Sequence, residues 1–194
     1  MARFPLLTPT GRKAVLVLHI AGGVGWMGLD AGLLILAATG LTTANGRTAA
    51  SCYTAIGLIV PPAVLALSLI MLGTGLILGL GTKWGLLRYW WVLVKLALGL
   101  VLTGLVFFAL LPATVALPEA VVSAGDGSGE AVRAALGATP VQLIFPPVVS
   151  FLALGFALAL SVFKPWGKVQ RLAAVREWDG APHLGDQPTT TVEE

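Results

Sequence analysis

AVLVLHIAGGVGWMGLDAGLLILAATGL, residues Ala14–Leu41, is an unbroken 28-residue run whose only ionisable side chains are His19 and Asp30. An α-helix needs about 20 predominantly apolar residues to cross the hydrocarbon of a bilayer. The run also exceeds the roughly 7–15 apolar residues of a secretory h-region, although Arg3, Arg12 and Lys13 precede it as they would in a signal peptide. It reads as a retained first membrane helix.

Three further runs of sufficient length follow, at Tyr53–Leu80, Tyr89–Leu111 and Val141–Phe163. The chain of 194 residues is 57% hydrophobic and only 11% charged, where a soluble domain carries about 25% charged residues. The sequence therefore predicts an all-α, polytopic membrane protein: a four-helix up-down bundle over 14–163. A short N-terminal segment (1–13) precedes it. A tail (164–194) follows, with an interfacial helix over Lys168–Trp178 and a polar, disordered end from Asp179. The connection Pro112–Pro140 is read as a loop, with a flexible turn at Gly125–Gly129 and one or two helical turns over Glu130–Leu136.

Lysine and arginine placement sets the orientation. Arg3, Arg12, Lys13, Lys83, Arg88, Lys164, Lys168, Arg171 and Arg176 fall on the side of the termini, and only Arg47 and Arg133 on the other. Both termini are expected in the cytoplasm, in a multi-pass protein of the cell membrane. Trp84, Tyr89, Trp90, Trp91 and Trp166 would form an aromatic belt at that face. Basic residues at helix ends suit anionic lipid headgroups rather than nucleic acid.

Ile59-Val-Pro-Pro62 recurs as Ile144-Phe-Pro-Pro147. Two duplicated helical hairpins would explain this, as would the preference of proline for the first turn of a helix. A helix beginning upstream of either pair would instead be distorted there, leaving carbonyls unpaired.

Ionisable residues at membrane depth are costly, which makes each one a functional candidate. At 100° per residue, His19, Gly23, Trp26 and Asp30 share one stripe of the first helix. It should face the bundle interior, and Gly22, Gly25, Gly28 and Gly32 add small surfaces that let helix backbones approach or make room for a flat ligand. Gly28 and Gly32, spaced as Gly-x-x-x-Gly, are candidates for close helix packing. At 1.5 Å per residue, His19 and Lys95 lie about 9 and 10 Å from the cytoplasmic edge, whereas Asp30 lies about 25 Å along. His19 and Lys95 therefore share a layer. Asp30 belongs to the outer layer of the Pro-Pro pairs, out of reach of Lys95. Lys95 can point inward or snorkel, with Trp91 one turn before it as a cation–π partner.

Leu18-His19-Ile20 with Gly25-Trp26-Met27-Gly28, and Trp90-Trp91-Val-Leu-Val-Lys95-Leu96, resemble the first- and third-helix signatures of a group of small bacterial membrane proteins. The group includes the four-helix protoporphyrinogen oxidases and the copper-resistance D-type proteins. Leu78–Arg88 is similar to uncharacterised actinobacterial four-helix membrane proteins, a resemblance that carries no known activity. The oxidase resemblance implies haem b, with His19 as axial ligand and Lys95 as counter-ion to a propionate.

The single Cys52 excludes an intramolecular disulfide and a cysteine-based zinc site, and no metal cluster is expected. No phosphate loop, nucleophile–base pair or paired carboxylates argue for an enzyme of hydrolysis or phosphoryl transfer. Three readings stand. The first is an accessory or scaffold subunit packing against partner helices, as a homo-oligomer or within a larger membrane complex. The second is a haem- or porphyrin-binding protein using His19, Lys95, Gly23 and Trp26. The third is a small dimeric transporter or channel using Asp30.

Overall fold

The computed structural model describes residues 7–81, 89–123 and 127–163, and is all-α over them. Four helices are long and apolar enough to cross a membrane: Pro9–Thr42, Gly46–Gly81, Trp90–Val122 and Thr139–Phe163. The chain is thus a multi-pass membrane protein with a bundle of four spans. The bundle end holding Pro9, Gly81, Trp90 and Phe163 is called the near end here, and the opposite end the far end. The expected cytoplasmic loop with Lys83, Trp84 and Arg88, the expected interfacial helix over Lys168–Trp178 with the rest of the tail, and residues 125 and 126 of the expected glycine turn lie outside the described residues.

The helix boundaries follow from local chemistry. Thr8 caps the first helix by accepting from Gly11 N, with Pro9 at its first position. Asn45 caps the second by accepting from Thr48 N through Oδ1 at 3.1 Å. Neither span begins where hydropathy alone places it, because capped polar turns extend each helix beyond its apolar run.

The outer surface is apolar: Phe108 is 88% exposed and Phe163 79%, which suits lipid and not water. Inside, Trp26, Tyr53, Ile56, Val60, Val64 and Val132 form a continuous core.

Two of the four spans contain π turns, Val60–Val64 in the second and Val106–Leu110 in the third. Each adjoins proline. Pro61 and Pro62 have no N–H, so the carbonyls of Gly57 and Leu58 lose their α-helical donors, and the backbone accommodates this by widening. Pro112, just after the second π turn, withdraws the donor from Phe108 in the same way. The second pair, Pro146-Pro147, lies in the first turn of a helical segment starting at Phe145, where N–H groups are unpaired in any case. The two Pro-Pro motifs therefore occupy different structural positions: one widens a helix interior, the other starts a helix.

The stretch from Pro112 is a correction to the sequence reading. It is not a loop. The third helix continues through Leu111–Val115 and Leu117–Ser123, with Pro112 and Pro118 tolerated in first turns. It packs on the second helix so closely that a Cβ on Gly57 would lie 2.7 Å from Pro118 Cδ. A short helix, Gly129–Leu136, then crosses the far end, matching the helical turns expected there.

This short helix closes the far end through Arg133. Its Nη1 donates to Thr43 O at 2.8 Å and to Gly40 O at 3.3 Å. Both carbonyls end the first helix and lack intrahelical donors, and a cation at a helix C-terminus is favoured by the helix dipole. Arg133→Ala is expected to destabilise the protein by about 2 kcal/mol, since charged hydrogen bonds contribute about 1.5–3 kcal/mol. Thermal unfolding in detergent checks this, and Arg133→Lys should recover part of the loss.

Candidate functional site

The stripe His19–Gly23–Trp26–Asp30 divides into two sites. Towards the near end, His19 Nδ1 lies 2.9 Å from Thr74 Oγ1 on the second helix. The Thr74 hydroxyl also bonds the Ile70 carbonyl one turn back. With its proton committed there, it accepts from Nδ1–H, which leaves His19 Nε2 as the ring's lone-pair atom. Lys95, on the third helix, donates from Nζ to Ser161 Oγ on the fourth at 2.8 Å and lies 4.7 Å from the centroid of the Trp91 ring. Lys95 is half-buried and turned towards the fourth helix.

Gly23 has no open space beside it. A Cβ there would lie 3.2 Å from Met71 Sδ, so methionine fills the space. The His19 ring itself lies against Gly75, 3.3 Å from where that residue's Cβ would be. Gly23, His19 and Gly75 are thus a packed contact between the first and second helices. A porphyrin on His19 would need this contact opened. Thr74→Val leaves Nδ1–H without its acceptor and is expected to cost about 1–2 kcal/mol, read as a fall in thermal midpoint.

Gly28 and Gly32, the candidates for close helix packing, meet no other helix of this bundle. Both are exposed, with nothing within 4 Å of a Cβ at either. They lie on the outward face of the first helix.

The far-end site is built differently. Asp30 is 3% exposed and its Oδ2 lies 2.7 Å from Ser150 Oγ on the fourth helix. Ser150 Oγ is also 2.8 Å from the carbonyl oxygen of Pro146. No arginine or lysine pairs with Asp30 among the described residues; Arg133 is engaged with the end of the first helix instead. Trp26, one turn before Asp30, is 2% exposed, and its indole N–H has no hydrogen-bond partner. It lies near the Asp30 carboxyl without meeting hydrogen-bond geometry.

Trp26, Asp30 and Ser150 border a cavity of about 230 Å³. All four spans contribute walls, and both π turns do so, through Val60 and Val64 and through Val106 and Leu110. Pro146 and Pro147 complete the far side. A widened turn displaces side chains from the packing line of a regular helix, and π turns recur at functional sites for this reason. Here two of them meet at one void.

The cavity has a mouth. Leu105 and Ala109 of the third helix and Phe145 and Val149 of the fourth line it while remaining exposed on the bundle surface. The opening is therefore the seam between those two helices, and it faces hydrocarbon.

Comparison with known proteins returned no match from family models, curated proteins or solved structures. The sequence reading found Asp30 and Trp26 from the cost of a membrane carboxylate and from helical phase. It missed Ser150, a serine without a motif, and it missed the π turn at Val106–Leu110, whose only sequence signal is Pro112.

Proposed function

We propose that this membrane protein binds a small, mostly apolar molecule that enters from the lipid phase, within a bundle whose termini lie in the cytoplasm. This is the substrate-site reading of Asp30. The observation that supports it is the cavity: concave, apolar, reached from the hydrocarbon, with convergent polar groups at one end. That combination is characteristic of ligand sites. Its polar groups also have unfilled capacity. A buried indole N–H without a partner and a carboxylate served by one serine are costly unless a ligand meets them.

The size bounds the ligand. A cavity of about 150 Å³ holds benzene, so about 230 Å³ holds a ring with two or three further heavy atoms. The site is too small for a porphyrin and His19 is not part of its wall.

Calorimetric titration of the detergent-purified protein with 2-phenylethanol, corrected for partition into detergent alone, tests the reading. Saturable one-to-one binding is the expected result. Partition indistinguishable from detergent alone would overturn it.

A second reading, a subunit that packs against partner helices, is favoured by Gly28 and Gly32. Their open, outward small-residue face suits close approach of another helix in lipid. Under that reading Gly28→Leu separates the assembly in native mass spectrometry without unfolding the bundle.

A further inference from the structure

We propose that the cavity's ligand is a small lipophilic amine, bound as its ammonium ion with Asp30 as the counter-charge; this rests on the reading of the cavity as a ligand site. Three observations converge on it.

The first is the charge inventory. Among the described residues, Asp30 is the one ionisable residue on the cavity wall, and the other linings are apolar apart from Ser150 and the Trp26 indole. An ionised carboxylate in such surroundings lacks compensation unless a cation arrives. No cation of this chain reaches it among the described residues.

The second is the geometry of Ser150. One hydroxyl proton stands between two acceptors at nearly equal distance, Asp30 Oδ2 at 2.7 Å and Pro146 O at 2.8 Å. With the cavity empty, a protonated Asp30 donates to Ser150 Oγ while Ser150 donates to Pro146 O. With an ammonium bound, the Ser150 proton turns to the ionised carboxylate. Both settings keep Asp30 and Ser150 hydrogen-bonded to each other with the same heavy-atom positions. A neutral amine entering from lipid takes the Asp30 proton, so RNH₂ and COOH become RNH₃⁺ and COO⁻ with no proton exchanged with water.

The third is the access route. The seam at Leu105, Ala109, Phe145 and Val149 opens to hydrocarbon, which admits the neutral, lipid-soluble form of an amine and not a hydrated cation. Trp26 adds a ring beside the carboxylate, against which an ammonium group is favoured.

The test is a calorimetric comparison at pH 7 of 2-phenylethylamine and 2-phenylethanol, which share a ring and a two-carbon arm and differ in the charged group. Wild-type protein should bind the amine at least about tenfold more tightly than the alcohol, the scale of a charge-assisted hydrogen bond. Asp30→Asn should lose about that factor for the amine, so that it no longer prefers the amine to the alcohol, and its thermal midpoint in detergent reports that the variant is folded. Equal binding of the two ligands by wild-type protein overturns the amine proposal and leaves the cavity reading standing. Failure of both ligands to bind overturns the cavity reading itself. If Asp30→Asn does not fold, the wild-type comparison decides alone.

Discussion

Replacing Gly46 by valine is expected to lower the thermal midpoint of the detergent-purified protein by about 10 °C, the consequence of roughly 3 kcal/mol of overpacking that cannot relax. Gly46 opens the second helix directly after its Asn45 cap. A Cβ there would collide with the Gly127 carbonyl oxygen, and Ser128 C stands 3.1 Å away. The obstacle is backbone, so no rotamer change relieves it.

Nor can the two strands of chain separate freely. Gly129 N donates to Ala44 O at 2.9 Å, and a Cβ on Gly129 would in turn press on the Thr43 carbonyl. The crossing of residues 43–46 over 127–129 therefore requires glycine on both sides. Gly28→Val is the matched control. It adds the same side chain to a helix position with open space around it and should change the midpoint by no more than a few degrees. Equal losses at the two positions would contradict the crossing described here.

Val64→Phe is expected to abolish 2-phenylethanol binding while leaving the protein folded and no less stable. Val64 is 1% exposed, belongs to the first π turn and lines the cavity. The added ring has the void of about 230 Å³ to enter, so the substitution fills space where most large-for-small changes create strain. Filling also gives the surrounding side chains contacts that a void denies them. A fall in affinity of at least about 100-fold, with an unchanged or raised midpoint, is the expected pair of results. Unchanged affinity would move the binding site elsewhere. A collapse in stability would mean that the cavity is too rigid to accept the ring.

The spans were legible because hydrocarbon imposes a strong rule: about 20 apolar residues with satisfied backbone groups. Four runs met it, and four helices among the described residues are long and apolar enough to span. Their ends were less legible. Asn45 and Thr8 extend two helices through polar turns, and the stretch from Pro112 was read as a loop although helix continues through Leu111–Val115 and Leu117–Ser123.

The site was legible in part. The phase of Trp26 and Asp30 followed from helix geometry alone, and both line a cavity that Pro146 and Pro147 also line. Helical phase carries no information about neighbours, however. It put Gly23 on the inward stripe, and could not show that Met71 from another helix fills the space beside it. It could not show that the third helix widens at Val106–Leu110, because a π turn depends on which carbonyls lose donors and not on hydropathy. The cavity arises from that widening in two helices at one level, a tertiary coincidence with no local signature.

The most direct test of the central claim is to locate a ligand. Crystals grown from lipid with 4-bromobenzyl alcohol should show one bromine anomalous peak inside the bundle, between Trp26, Val64 and Ser150, with the ligand hydroxyl near Asp30. A peak confined to the outer lipid-facing surface, or none at saturating ligand, would contradict the cavity as a binding site.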